Sequence, residues 1–158
     1  MNTIIKSLRI TLLTIVCLLG LGSCTTNNGD IGNLYGRWNL VSVDIDGVEQ
    51  NEWKQNGEKF CNWYFQNNIV EIQQSDKRHD NSSSYGTWTR GEDSIVFDFT
   101  HSDDDTAPGT GVYAPPSWIG FPAGTSSFTI VEDSGKSLVL TTVLENGSRL
   151  TYTLQKVM

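Results

Sequence analysis

The sequence predicts an all-β protein: an eight-stranded, up-and-down antiparallel barrel with one long loop over its open end. Three observations predict it. Eight short runs carry apolar residues at a period close to two, the spacing of side chains that alternate across a strand. No window carries a helical stripe, and only 49–58 leaves room for a short helix. The connections also segregate by length in a meander, with tight ones gathered at one end and long ones at the other. A barrel closed at its floor and open at its mouth produces that asymmetry, and closure removes exposed sheet edges.

The elements follow in chain order. Lys6 and Arg9 precede an apolar run over 10–21, which ends in Leu21-Gly22-Ser23-Cys24. That is the layout of a bacterial lipoprotein signal peptide over 1–23, cleaved before Cys24, which then carries the lipid. The apolar run is shorter than the ~18–20 residues that cross a bilayer, and no basic residues follow it as a stop signal. Cleavage leaves 135 of the 158 residues, the size of one domain. Residues 24–33 are polar, rich in Asn and Gly, and read as a flexible lipidated tether. Residues 34–158 are the barrel domain.

Its runs are 37–45, 59–65, 69–74, 85–90, 94–100, 126–132, 137–144 and 148–157. The last is the clearest: Leu150, Tyr152 and Leu154 share one face, and Thr151, Thr153 and Gln155 the other. Ile95, Phe97 and Phe99 make a second stripe. The tight connections 66–68, 91–93 and 133–136 carry the Asn and Gly that hairpins need for unusual φ. The long ones are 46–58, 75–84 and 101–125, with only 145–147 short at their end.

Charge and cysteine usage narrow the function. The mature chain keeps nine basic residues against 18 acidic ones, a net charge of −9. Nucleic acid is excluded as a partner, because its phosphates need Lys and Arg to replace counterions. Attraction to anionic lipid is disfavoured for the same reason, so the membrane is reached through the anchor. Cys17 leaves with the signal and Cys24 takes the lipid, so Cys61 is left as a small buried hydrophobe with no disulfide partner.

The stretch Leu34-Tyr35-Gly36-Arg37-Trp38-Asn39-Leu40 resembles the Gly-x-Trp opening of lipocalins and of the lipocalin-like domains of bacterial lipoproteins. The Asp46-Gly47 turn, the ending Leu154-Gln155-Lys156-Val157 and the lipobox fit that group. The resemblance implies a floor in which Gly36 opens the first strand and Trp38 packs under a basic side chain, here Lys156. It implies a cell-envelope protein, anchored in the outer membrane, that binds or sequesters a small, largely apolar ligand. A barrel with a filled interior that serves as a protein-interaction module is the alternative.

No catalytic residue is expected. The chain has no Gly-x-Ser-x-Gly elbow, no His-Glu-x-x-His pair and no Cys-x-x-Cys. Gly135-Lys136-Ser137 ends like a phosphate loop, but Ile130 stands where its first glycine belongs, and a hairpin suits it better. His79 beside Asp80 and His101 before Asp103-Asp104-Asp105 could meet at the mouth, yet no ligand pair has a metal-site spacing. No metal and no cofactor is therefore expected. Ligand contacts should come from the loops that overhang the mouth: Tyr113, Trp118 and Phe121 in 101–125, and Trp53 in 46–58, with Arg78 and His79 for a polar head group. Either 101–125 is a lid over a ligand, or it folds back as a plug.

Overall fold

Strand β1 (Gly36–Ile45) buries Trp38, Leu40 and Val43 and turns the residues between them outward. The step from even to odd positions follows a bulge between Leu40 and Ser42, where one extra residue shifts the alternation. Eight further strands follow: β2 (Val48–Glu49), β3 (Lys59–Gln66), β4 (Ile69–Asp76), β5 (Asn81–Arg90), β6 (Ser94–Asp98), β7 (Thr125–Asp133), β8 (Ser137–Val143) and β9 (Arg149–Lys156). This computed structural model describes residues 32–54, 59–76, 78, 80–102 and 108–157. From β3 to β9 each strand pairs antiparallel with the next, and β1 pairs with both β3 and β9. The result is a closed, eight-stranded, up-and-down barrel, with β2 a short hairpin arm on β1.

The tight turns obey local chemistry. Asp46 and Gly47 both have positive φ (52° and 81°), the mirror-image turn that matches the twist of a two-residue hairpin. Asn67 (φ 49°) does the same work between β3 and β4. The longer turn before β8 is tied by Ser134 N–H donating to Ser137 O at 3.0 Å.

Three sequence expectations shift. The connection over 75–84 is not long: β4 runs to Asp76 and β5 starts at Asn81, so the two strands form an extended hairpin. Gln73, Gln74 and Ser82–Ser84 are polar on both faces, so they carry no apolar alternation, yet their backbones pair residue by residue. The 94–100 run stops as a strand at Asp98, whose carboxylate accepts from Thr100 N–H at 2.9 Å and from its hydroxyl at 2.6 Å. Among the described residues of 49–58 the helical piece is the 3-10 turn Glu52–Lys54.

At the floor, Trp38 is fully buried and its indole N–H donates to Leu34 O at 2.7 Å. Lys156 Nζ lies 5.2 Å from the Trp38 ring centroid and donates to Asn33 O at 2.6 Å. Gly36 has φ +115°, which L side chains rarely adopt, so it admits the chain at this angle. Trp38→Ala should lower stability by about 3–5 kcal/mol, as deep aromatic truncations do. Lys156→Ala should cost at most about 1 kcal/mol, the range of exposed cation–π pairs. Chemical denaturation of the two variants separates these values, and an unchanged midpoint for Trp38→Ala would remove that ring from the core.

Candidate functional site

The inner wall is built by strand alternation and is dominated by rings. Trp63 and Phe65 on β3, Phe97 on β6, Phe128 on β7 and Tyr152 on β9 are all essentially inaccessible to solvent. Trp63 meets Phe97 edge-on at 5.7 Å and Tyr152 at 5.3 Å, and Phe97 meets Phe128 at 5.6 Å. Edge-to-face geometry at these separations is the favourable arrangement of aromatic quadrupoles.

The connection between β6 and β7 enters this cluster. Its last part, after the 3-10 turn Ser117–Ile119, inserts Phe121 among the wall rings: 5.9 Å from Tyr152 and nearly parallel to it, 5.6 Å from Phe97 and 5.4 Å from Phe128. Ile119 is buried beside it, and Tyr152 Oη donates to Ile119 O at 3.2 Å. The segment is a plug. Gly120 and Gly124, at φ 70° and 71°, allow the sharp entry and exit.

Above the plug the barrel is looser. β6 pairs with β5 only from Thr87 to Arg90, so the mouth half of β5 has no strand partner on that side. Gly86 marks the parting, because a Cβ there would lie 2.7 Å from Asp98 O and 3.0 Å from the Phe99 ring. On the inner face, Cys61 of β3 stands opposite Gln74 of β4, which stands opposite Ser82 of β5. Cys61 is buried, Gln74 half-buried and Ser82 exposed, so this row climbs from core to solvent. Burial pushes the Cys61 thiol far above its ordinary range, offset slightly by the neighbouring Trp63 indole, so it is an inert thiol. Burial, with a smaller contribution from Cys61, likewise raises the Tyr152 phenol well above its ordinary range.

Among the described residues, Trp53 Nε1 and Gln74 Nε2 are buried donors with no acceptor. Trp63 Nε1 deeper in the barrel and Trp88 Nε1 toward the floor are the same. Native proteins satisfy nearly all buried polar groups, and each exception costs roughly 1–3 kcal/mol.

The structure distributes the expected ligand residues unevenly. Trp53, 6 % exposed, belongs to the buried core, with Lys54 Nζ 5.3 Å from its ring centroid and held by Glu49 at 2.7 Å. Trp118 is half-buried against the core, and Phe121 is inside it. Tyr113 lines a groove of about 410 Å3 with Ile69, Tyr85, Thr87 and His101. Its strand positions face outward, so Tyr113 does not join the mouth. Arg78 projects from the β4–β5 hairpin, its side chain 86 % exposed and 3.7 Å from Asp76. His79 and Cys24 lie outside the described residues. Gln74 is the residue that sequence reasoning passed over. No group of three His, Cys, Asp or Glu side chains is placed to hold a metal among the described residues.

A family model described as a lipocalin-like domain matches residues 17–156. Two crystal structures share the fold at 16 % sequence identity each. One is a lipocalin-like protein from Bacteroides uniformis, with a TM-score of 0.52, 80 % of this chain covered and 100 % of that one. The other is an uncharacterized protein from Bacteroides eggerthii, with a TM-score of 0.55, 78 % of this chain covered and 99 % of that one. Among curated proteins no match to the chain is found.

Two outcomes follow from the plug and its root. Phe121→Ala should cost about 3–5 kcal/mol and leave a dry, ring-sized cavity. Benzene should then raise the melting temperature of the variant and leave that of the parent unchanged. Equal responses would mean that Phe121 does not fill the lumen. The Thr100 hydroxyl, more than the nearby His101 charge, holds the Asp98 carboxyl below its ordinary value of 3.8. A depressed carboxylate stabilises the fold above the ordinary value, and that contribution disappears as pH falls through the lowered one. Melting curves of Asp98→Asn should therefore lie below those of the parent at neutral pH and converge with them in acid.

Proposed function

The chain belongs to the lipocalin-like domain family, and on that premise we propose that it is a lipid-anchored cell-envelope protein that binds a small, largely apolar ligand at the barrel mouth, without catalysis. The observation that carries this reading is the pair of buried, unaccepted donors in the mouth half, Trp53 Nε1 and Gln74 Nε2. A ligand with a carbonyl, hydroxyl or carboxyl oxygen gives such donors the acceptor that the protein withholds. The half-buried ring of Trp118 and the buried ring of Trp53 supply flat apolar area, and the plug beneath them limits how deep the ligand goes. Its chemistry is therefore that of a short or compact apolar body with one polar end.

The Leu21–Cys24 sequence supports the anchor, and the outer membrane is the proposed location. The absence of any catalytic motif, together with the inert thiol at Cys61, supports binding over turnover.

A specific observation favours a second reading. The lumen is filled by the protein's own Phe121, as in a barrel that acts as a protein-interaction module. Native mass spectrometry of the full chain extracted from membranes in mild detergent separates the two. A retained small molecule supports the first reading, and a bare chain that retains a protein partner supports the second. With the retained molecule in hand, Gln74→Leu should weaken its binding by about 1–2 kcal/mol, the scale of one buried hydrogen bond, with little change in melting temperature. For the anchor, Cys24→Ala should abolish acylation and move the protein from the membrane pellet to the soluble fraction. A variant that still pellets with acyl groups attached refutes the lipobox.

A further inference from the structure

The outer wall of the barrel is as uneven as its inside. On β7 and β8 the outward positions include Ser127, Thr129, Glu132, Val139, Thr141 and Val143, with no aromatic ring among them. On β3 the outward positions are Phe60, Asn62 and Tyr64, because Cys61, Trp63 and Phe65 point inward. The register sets Tyr64 opposite Arg37 on β1, and Asn62 opposite Gln73 on β4. Asn81 of β5 is reached through Ser75, which stands opposite Phe60. Together they line an open groove of about 520 Å3 that crosses four neighbouring strands.

Its side chains are fixed before anything binds. The Arg37 guanidinium lies 6.0 Å from the Tyr64 ring centroid, and its Nε donates to Asn62 Oδ1 at 3.2 Å. Asn62 itself is only 4 % exposed. Ser75 Oγ donates to Asn81 Oδ1, which holds the far amide in place. Phe60, by contrast, is left 54 % exposed near the start of β3, where an isolated ring gains nothing from water.

We propose that this groove is a binding site for a neutral oligosaccharide chain, separate from the mouth. A pyranose ring has an apolar C–H face and a rim of hydroxyls that both donate and accept. The groove answers each feature. Phe60 and Tyr64 offer flat rings for the C–H faces, Gln73 presents an amide donor and acceptor, and Asn81 presents its amide donor while its oxygen is held by Ser75. Arg37 adds a planar fork of donors for paired hydroxyl oxygens. Four strands at ~4.8 Å spacing span roughly 15 Å, the length of about three sugar units, so a short linear chain fits better than a single ring. Asp76, which also lines the groove, and Glu71, opposite Tyr64, oppose the charge of Arg37, and the chain carries a net negative charge, so an anionic polymer is disfavoured. A peptide strand is disfavoured too. Peptides add to open sheet edges, whereas the middle of this groove is paired strand, β3 with β4 along its whole length and β4 with β5 from Ile69 to Ser75.

The test uses the full chain in a detergent without a sugar head group, titrated calorimetrically with linear oligosaccharides of glucose, xylose, mannose and N-acetylglucosamine. At least one series should bind, more tightly as it lengthens to about three units. Phe60→Ala, at an exposed position that the fold does not need, should weaken that binding about tenfold or more, the loss expected when one ring no longer buries its contact. Arg37→Ala should weaken it as well, and Phe60→Ala should leave the melting temperature near that of the parent. Gln74→Leu at the mouth should leave saccharide binding intact, so failure of the mouth reading does not touch this one. If no series binds, or if binding persists in a Phe60→Ala/Tyr64→Ala double variant, the groove is not a saccharide site. Capture of a peptide or protein on this face, uncompeted by any of the sugars, overturns it equally.

Discussion

The closing ladder between β1 and β9 is the constraint on which the rest of this structure depends. It runs from Trp38 opposite Lys156 to Ile45 opposite Leu150, and without it the barrel is an open sheet with two bare edges. Closure sets the circumference, and eight strands leave an interior just wide enough for side chains to fill. Large rings at alternate positions then occupy most of that width. The same ladder places Lys156 over Trp38 and seals the floor. Floor, filled lumen and limited mouth are therefore consequences of one pairing, and not separate features.

What the ladder does not determine is the height at which the barrel stops being solid. That is set by β6, which ends at Asp98 because its own carboxylate captures the backbone and hydroxyl of Thr100. The chain then leaves the wall, passes Gly86 too closely for any side chain, and returns through the lumen as the Phe121 plug. The mouth half of β5 loses its neighbour on that side, and inner-face positions such as Ser82 meet water. A recess of about 230 Å3 lined by Gln74, Asp76, Asp80, Asn81 and Ser82 lies at this end. Gln74 Nε2 within it is a buried donor without an acceptor.

Most of the architecture was legible in the sequence because period-two alternation survives wherever one face is buried. All eight barrel strands coincide with the expected runs to within a few residues at most ends. The clearest failure, the 75–84 segment, lies where both faces are polar. Gln73 and Ser83 belong to the outer wall, while Gln74 and Ser82 belong to the mouth, so no stripe marks the strand. Extending the Val70–Ile72 alternation by one step would have placed Gln74 inside. The fate of Phe121 could not be read at all. A lid and a plug need the same apolar, glycine-flanked segment, and only the width of the lumen decides between them. Tyr113 and Trp118, five residues apart in one loop, also separate: Tyr113 lines an outer groove and Trp118 packs half-buried against the core.

The proposed function divides the barrel in two: a self-filled lower part that holds the fold, and a mouth that takes a ligand. It is tested most directly by heteronuclear NMR of the full chain, titrated with the neutral lipophilic probe N-phenylnaphthylamine. The account predicts progressive shifts in the Trp53 indole N–H and the Gln74 side-chain amide, with the Trp38 indole resonance unmoved at the floor. Shifts at Trp38 equal to those at Trp53, or no shift at either mouth donor under saturating probe, would contradict it.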